Sequence, residues 1–500
     1  MPTGPAPGRP GARRRAQRSH PPPRPRTTRP RQARRGTAWS PHPRSRDRVT
    51  RRAPPHHPPQ AVGMQQPTSR RRRIRQTAAL GAAAAVAVGA LATASATLDG
   101  PAPATAGPAA SDPAAARALA ESADAGGLAA CRIRAESGVQ MSEGIPTPPG
   151  YTRSTGVVRA LNLMIDFPDT PGEGPAMRRY REFFPQTADW FRVSSYGRLR
   201  YVPYAPVPSW LRMPLPFTEY GIDRGAPYEP GYRKLVEHIV EAADDRVDFS
   251  AYDLVNVLVT PNAGPSALDT VLSVTFSGNG EAPSADGVTL SNTSFVYSRQ
   301  DDGSGSFHET GYRVLPHENG HVFGLPDLYT AEGGAAVGHW DIMSEDWGAN
   351  NDLLGWHKWK LGWLDASQVR CASRPGTREY TLTPLARPGR GVKLAVVPLG
   401  ELAGYALEVR TGEGNDEAVC DPGVLVYRVR ADVDTGQGPV TVQDGDPGSG
   451  GCTRHPNVHA ELSDAPYGPG ETFRDAAAGV TVTVLSRERN GSYRVRVTRG

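Results

Sequence analysis

Apolar residues run almost without a break through residues 157–167 and 254–259. Such runs are typical of strands that are buried on both faces of a sheet. A further run at 294–298 predicts a third strand and is a candidate edge, along which an extended peptide can pair. Apolar positions at helical spacing predict helices over residues 177–193 and 232–245. Strands that alternate with helices indicate an α/β domain.

Residues 351–361 contain two tryptophans at helical spacing, and we expect this helix to end at Gly362. We assign residues 151–363 to the α/β domain. Beyond it the pattern changes to short alternating runs separated by Gly and Pro. Many short strands imply an all-β sandwich over residues 364–500, for which we expect a supporting role.

The candidate chemistry lies just before that last helix. His317 and His321 are four residues apart, so on a helix they project from one face and can bind one metal ion. Glu318 lies beside that metal, where a carboxylate can take a proton from a water that the metal holds. Gly324 lets the backbone leave the helix, and Asp327 then arrives as a third ligand. Two imidazoles, one carboxylate and an open fourth position are typical of catalytic zinc.

The helix that this site requires has a weak intrinsic propensity. Pro316 lacks a backbone N–H, and Asn319 and Gly320 are poor helix formers. We therefore expect a marginal helix that either begins near Leu315, with Pro316 in its first turn, or is kinked at the proline. Tertiary packing and the metal would have to stabilise it.

A longer pattern surrounds the two histidines. The spacing His-Glu-x-x-His-x-x-Gly-x-x-Asp at 317–327 is followed by Trp-Asp-Ile-Met-Ser at 340–344, which places Met343 sixteen residues beyond Asp327. In both features the sequence resembles the immune inhibitor A family of bacterial secreted metalloproteases. That family carries a His-Glu-x-Gly-His-x-x-Gly-Leu-Pro-Asp core and a downstream Trp-Asp-x-Met-Ser segment.

The resemblance implies an α/β zincin-like (metzincin-like) catalytic domain. It also implies a set of roles: zinc ligands His317, His321 and Asp327, and the general base Glu318. Met343 would form a turn beneath the metal. Glu345 and Asp346, just after Met343, are alternative carboxylates for the third ligand position.

The basic charge of the chain belongs to its first segment. Residues 1–75 contain 21 Arg, no Lys and one acid, Asp47, and without them the net charge changes from +6 to −14. Such a composition cannot bury a core. A basic arm of this kind can bind nucleic acid or an anionic surface. We favour instead a disordered leader over residues 1–63 that is absent from the working protein.

An export signal follows the leader. An Arg cluster at 70–73, an apolar run at 77–91 and a small-residue cleavage site are the three parts of a secretory signal peptide, which we assign to residues 64–96. The cleavage site is at 94–96 or at 104–106. The apolar run is too short for a stable membrane anchor. Residues 97–150 are rich in Ala, Pro and Gly, as in a linker or a pro-segment.

Four cysteines, an even number in a chain with an export signal, predict disulfides. Three pairings are open to them. We prefer Cys420–Cys452, which closes a loop within one domain, together with Cys131–Cys371.

The sequence therefore predicts a secreted, extracellular zinc endopeptidase that acts on protein or peptide substrates. We expect no nucleic-acid partner and no stable membrane anchor. The alternative is a catalytically inactive, surface-binding protein that kept the fold, against which the intact Glu318 argues. Asp444 and Asp446 are a candidate Ca²⁺ site, although Gly/Asp loops are usually turns.

Overall fold

The computed structural model describes most of the chain from residue 127 onward. The described ranges are 127–223, 225–261, 263, 273–297, 300–301, 307–308, 311–331, 336–345, 352–417, 419–451 and 460–500. The predicted leader (1–63), the signal peptide (64–96) and residues 97–126 lie outside the described residues.

The helices and strands follow one another in two parts. The helices are α1 (Ala176–Arg181), α2 (Gln186–Ser194), α3 (Arg233–Ala243), α4 (Val314–Val322) and α5 (Gly355–Lys360). The strands of the first part are β1 (Gly156–Asp166), β2 (Leu199–Tyr204), β3 (Leu211–Arg212), β4 (Leu254–Val259), β5 (Val274–Phe276), β6 (Ser284–Ala285), β7 (Val288–Thr289), β8 (Thr293–Val296), β9 (Gln300–Asp301) and β10 (Phe307–His308). Those of the second part are β11 (Val369–Cys371), β12 (Gly376–Leu382), β13 (Leu394–Pro398), β14 (Ala403–Arg410), β15 (Gly423–Arg430), β16 (Val440–Gln443), β17 (Thr472–Asp475), β18 (Val480–Arg487) and β19 (Tyr493–Arg499). None of the helices in the described ranges has the length and apolar character needed to cross a membrane.

The first sheet has the strand order β2-β1-β4-β8-β5, with β3 also paired to β1. All pairs are parallel except that of β5 with β8, which is antiparallel. The strands predicted at 157–167 and 254–259 are therefore its central members. The expectation of an edge at 294–298 is wrong, because β8 lies between β4 and β5. The edge strand β5 has only three residues, too few for a periodic pattern to reveal.

Both faces of this sheet are buried. On β4, Leu254 and Leu258 belong to one hydrophobic cluster, whereas Val255, Val257 and Val259 belong to another. Helices α1, α2, α4 and α5 contribute to the first cluster, and α3 contributes to the second. The alternation of side chains along the strand thus places α4, which carries the histidines, and α3 on opposite faces.

The helix predicted over 177–193 is two helices, α1 and α2, separated by a turn that ends at Pro185. Proline cannot donate an interior helical hydrogen bond, and it disfavours the helical conformation of the residue before it. The end of α5 agrees with the prediction, because Gly362 follows it in a left-handed conformation, with φ of +72°.

The second part of the chain contains two sheets, with orders β11-β13-β14-β15-β16 and β12-β19-β18-β17. On β13, Ala395 and Val397 share a cluster with the four-stranded sheet, whereas Leu394 and Val396 join the cluster that includes α4. The five-stranded sheet is therefore buried on both faces and packs against the α/β part.

Residues 127–150, which we call the N-terminal arm, also pack into the core. Cys131 forms a disulfide with Cys371 of β11, as predicted. Cys420 is disulfide-bonded too. Its predicted partner Cys452 lies outside the described residues, so that pairing stays a prediction. The disulfide ties the arm covalently to the five-stranded sheet.

The arm completes a buried charge cluster. Nδ1 of His357, on α5, lies 2.7 Å from Asp341, and its Nε2 lies 2.9 Å from Glu143 of the arm. All three side chains are excluded from solvent. Burial acts to lower the pKa of His357, but the two carboxylates outweigh it and raise the pKa to about 10. A buried imidazolium therefore links the arm to α5.

Replacing His357 with Gln should destabilise the fold in a pH-dependent way. Because the folded-state pKa of about 10 lies above the unfolded value of about 6.5, the imidazolium stabilises fully below about pH 6.5. This stabilisation is lost as the pH rises through about 10. We expect the difference in free energy of unfolding between wild type and His357→Gln, measured with urea, to be largest near about pH 6 and to shrink toward about pH 10. A constant difference would contradict the charged cluster.

Candidate metal centre

Helix α4 presents the two histidines. A 3-10 turn over Gly311–Arg313 leads into it, and Pro316 occupies its third position, where a missing N–H breaks no intrahelical bond. Of the two predicted arrangements, the helix that begins near Leu315 with the proline in its first turn is confirmed. The rings of His317 and His321 lie on one face, with centroids 5.0 Å apart.

Asn319, a poor helix former, lies between the two histidines because its side chain makes hydrogen bonds to the sheet. Its Nδ2 donates to Oδ1 of Asn256 (2.9 Å) on β4, and its Oδ1 accepts from the hydroxyl of Tyr201 (2.7 Å) on β2. All three side chains are buried. The polar contacts therefore fix α4 on the sheet, which offsets the low propensity of the helix.

Gly324 ends the helix. Its φ is +88°, its N–H donates to the carbonyl of His321 (2.9 Å), and the N–H of Leu325 donates to that of Gly320 (3.0 Å). These are the two hydrogen bonds of a Schellman motif. A Cβ at Gly324 would lie 2.4 Å from Cγ2 of Thr147 in the N-terminal arm. Glycine is therefore required both by the backbone conformation and by the arm.

After this turn the chain places Asp327 beside the two histidines. Its Oδ1 lies 3.2 Å from Nε2 of His317 and 3.3 Å from Nε2 of His321. In the part of the chain that the structure describes, no other group of three or more His, Cys, Asp or Glu side chains could hold a metal ion. The three residues that the sequence predicts as ligands are thus brought together.

The hydrogen bond at Nδ1 of each imidazole determines whether Nε2 of the same ring has a lone pair that can bind a metal. Nδ1 of His317 lies 2.8 Å from the carbonyl oxygen of Ile342, and Nδ1 of His321 lies 2.8 Å from that of Leu325. Because a carbonyl oxygen only accepts, each Nδ1 carries a proton. In neutral imidazoles both Nε2 atoms then direct lone pairs at Oδ1 of Asp327, a buried atom without a hydrogen-bond partner among the described residues. These atoms repel one another unless a cation lies between them.

A zinc ion fits this arrangement. With bonds of about 2.0–2.1 Å, a tetrahedral site separates neighbouring ligand atoms by about 3.3 Å. The two Nε2···Oδ1 distances are 3.2 and 3.3 Å. Protons are the other cations that can relieve the repulsion. Burial acts to lower the pKa of His321, but the Asp327 carboxylate outweighs it and raises that pKa above its usual value. Without a metal, the Asp327 carboxylate therefore favours the protonated form of His321.

Glu318 follows His317 on the helix and is only 3% exposed. Its Oε2 accepts a hydrogen bond of 2.7 Å from Oγ1 of Thr275 on the edge strand β5, and Thr275 lies 2.8 Å from Oγ of Ser294 on β8. Burial raises the pKa of Glu318 above its usual value, although the positive field of His317 and His321 opposes the shift. The hydrogen bond from Thr275 holds the carboxylate beside the predicted ligands, where a general base has to lie.

Met343 packs against α4 at Gly320. A Cβ at Gly320 would come within 2.4 Å of its sulfur, so glycine leaves room for the methionine against the helix. The Met343 carbonyl accepts from the N–H of Leu328 (2.9 Å), and its own N–H donates to Oδ1 of Asp341 (2.8 Å). The same turn carries Ile342, whose carbonyl orients His317. The turn thus connects the first histidine to the buried charge cluster.

Of the two alternative ligands, only Glu345 lies within the described residues. Glu345 is buried but is not among the three residues that converge, and Asp346 lies outside the described residues. Asp444 and Asp446 are also in no such group within the described ranges, so the Ca²⁺ site stays a prediction.

Two threonines that hold the site were not predicted. Thr275 bonds Glu318 across 43 positions, and Thr435 bonds Asp327 across 108 positions. Nothing in the sequence near either threonine indicates its partner. Only the pairing of strands and the packing of loops bring them together.

Comparisons with known proteins add little. No protein-family model and no curated protein matches the chain, so the resemblance to the immune inhibitor A family stays a prediction. Among solved structures, the chain is similar to catalytically inactive OgpA from Akkermansia muciniphila in complex with an O-glycopeptide (glycodrosocin) substrate. The identity is 10%, the match covers 71% of this chain and 98% of the other, and the TM-score is 0.23. A likeness at this level carries no inference about shared fold or function.

Gly324→Ala should destabilise the protein more than Gly221→Ala. Both glycines have positive φ, +88° and +65°, and an alanine there costs about 1–2 kcal/mol of strain. A Cβ at Gly221 meets nothing within 4 Å, whereas one at Gly324 meets Thr147. We expect Gly324→Ala to lower the free energy of unfolding by about 1–3 kcal/mol more than the control, in urea denaturation of the full chain. Equal losses would mean that the arm does not pack against this turn.

Proposed function

We propose that this protein is a zinc-dependent endopeptidase that is exported from the cell. Its α/β part would be a zincin-like catalytic domain, and the two sheets that follow would form a β-sandwich. The observation that supports this most strongly is the convergence of two Nε2 lone pairs and one carboxylate oxygen at tetrahedral spacing. Export rests on the signal-peptide pattern at 64–96.

Each residue of the site would have a separate role in peptide-bond hydrolysis. Zinc, when bound, would lower the pKa of a water at its open position to about 7 and polarise the scissile carbonyl. Glu318 would accept the proton of the attacking water and later deliver it to the leaving amine. Thr275 would hold the carboxylate in one orientation through its 2.7 Å hydrogen bond. His317, His321 and Asp327 would hold the metal.

An extended peptide is the substrate class that we propose. Strand β5 stands at the end of its sheet's strand order, antiparallel to β8, and its Thr275 bonds the candidate base. A peptide that paired with the outer edge of β5 by main-chain hydrogen bonds would pass beside Glu318. This mode of pairing does not depend on the sequence of the substrate, so side-chain preference would come from other surfaces.

Glu318→Gln should abolish peptide hydrolysis while zinc stays bound. Glutamine preserves the size of the side chain but cannot accept the proton, and loss of a general base lowers turnover about 10²–10⁴-fold. The measurements are casein hydrolysis, with and without a chelator, and zinc content by mass spectrometry on the same preparation. The matched control is Glu237→Gln on α3, a half-exposed carboxylate on the other face of the sheet, which should retain both properties.

Two outcomes would contradict the proposal. Hydrolysis that survives in Glu318→Gln would remove this residue from the mechanism. A wild-type protein that holds zinc but cleaves no casein would favour the catalytically inactive, surface-binding alternative.

A further inference from the structure

The third ligand lies on a loop, and a distant part of the chain holds it. The N–H of Asp327 donates to Oγ1 of Thr435 (2.8 Å), and that hydroxyl donates to Oδ2 of Asp327 (3.2 Å). The N–H of Gly436 donates to the Asp327 carbonyl (3.1 Å). One hydroxyl can accept and donate at once, so the two Thr435 contacts are compatible. Three hydrogen bonds from one short segment thus fix both the backbone and the carboxylate of Asp327.

We infer that Thr435 is a positioning residue for the third metal ligand, an inference that rests on the proposed function. Its hydroxyl donates a hydrogen bond to Oδ2 of Asp327. The other carboxylate oxygen, Oδ1, is then the one that faces both histidines. Without the hydroxyl, the carboxylate can rotate about its last bond and lose that alignment. Groups that orient a metal ligand in this way are typically worth about 10–100-fold in metal affinity.

The segment that carries Thr435 is itself anchored. It lies between β15 and β16, and Asp434 Oδ1 accepts from the N–H of Gln140 (2.6 Å) in the N-terminal arm. The N–H of Thr435 donates to the Gln140 carbonyl (3.3 Å), and Ser142 Oγ donates to the carbonyl of Ala431 (2.5 Å). The backbone of Thr435 is therefore hydrogen-bonded to the arm, while its side chain is hydrogen-bonded to Asp327. The five-stranded sheet and the arm thus contribute to the metal centre and do more than support it.

The test compares three substitutions in the full chain. Thr435→Val keeps the shape of the side chain and removes the hydroxyl, whereas Thr435→Ser keeps the hydroxyl. Thr441→Val, at an exposed position on the neighbouring strand β16, is the matched control. Zinc affinity is measured by competition with a chromogenic chelator in the absence of substrate. Urea unfolding of the metal-free proteins is measured beside it, and Thr435→Ala replaces the valine variant if that one does not fold.

We expect Thr435→Val to bind zinc about 10–100-fold more weakly than wild type, while Thr435→Ser and Thr441→Val remain within about threefold. Wild-type affinity in Thr435→Val would overturn the inference and leave the proposed function intact. Weak binding in Thr435→Ser would also overturn it, because the methyl group and not the hydroxyl would then matter. Failure of the wild-type protein itself to bind zinc would overturn the proposed function and the inference together.

Discussion

The fold brings three groups with mutually repelling lone pairs together at its centre. Two imidazoles are held by carbonyl oxygens at Nδ1, so their Nε2 lone pairs face a carboxylate oxygen at 3.2 and 3.3 Å. Water can do little to screen this contact, since the ligands are mostly buried. Such a cluster is stable only with a cation inside it, and its spacing is that of a tetrahedral zinc site. The metal would therefore stabilise the fold as well as serve the chemistry.

Three distant parts of the chain meet around this centre. Helix α4 carries His317, Glu318 and His321, the sheet contacts Glu318 through Thr275, and the second part of the chain contacts Asp327 through Thr435. The N-terminal arm packs against the turn at Gly324 and binds the segment around Thr435. Its disulfide to Cys371 keeps it in place. An element that has the composition of a linker is thus an integral part of the structure over residues 127–150.

The sequence predicted which side chains converge better than it predicted what holds them, and the reason is physical. His317, Glu318 and His321 lie within one turn of helix, so local geometry alone brings them together. Gly324 and Asp327 follow within a few residues, and their roles depend on a single turn. In contrast, Thr275 and Thr435 act across strand pairing and loop packing, for which no local pattern exists. The break at Pro185 could have been read from the sequence, because proline disfavours a continuous helix there. The place of β8 in its sheet could not, since strand order is set by tertiary packing.

Zinc K-edge X-ray absorption of the full-length protein, loaded with one equivalent of zinc, tests whether His317, His321 and Asp327 bind the metal. We expect nitrogen and oxygen atoms around the zinc at about 2.0–2.2 Å, with the scattering signature of two imidazoles. In His321→Ala this signature should fall to one imidazole or the metal should be lost. A shell that contains sulfur at about 2.3 Å, or a wild-type protein that leaves the zinc free in solution, would contradict this expectation.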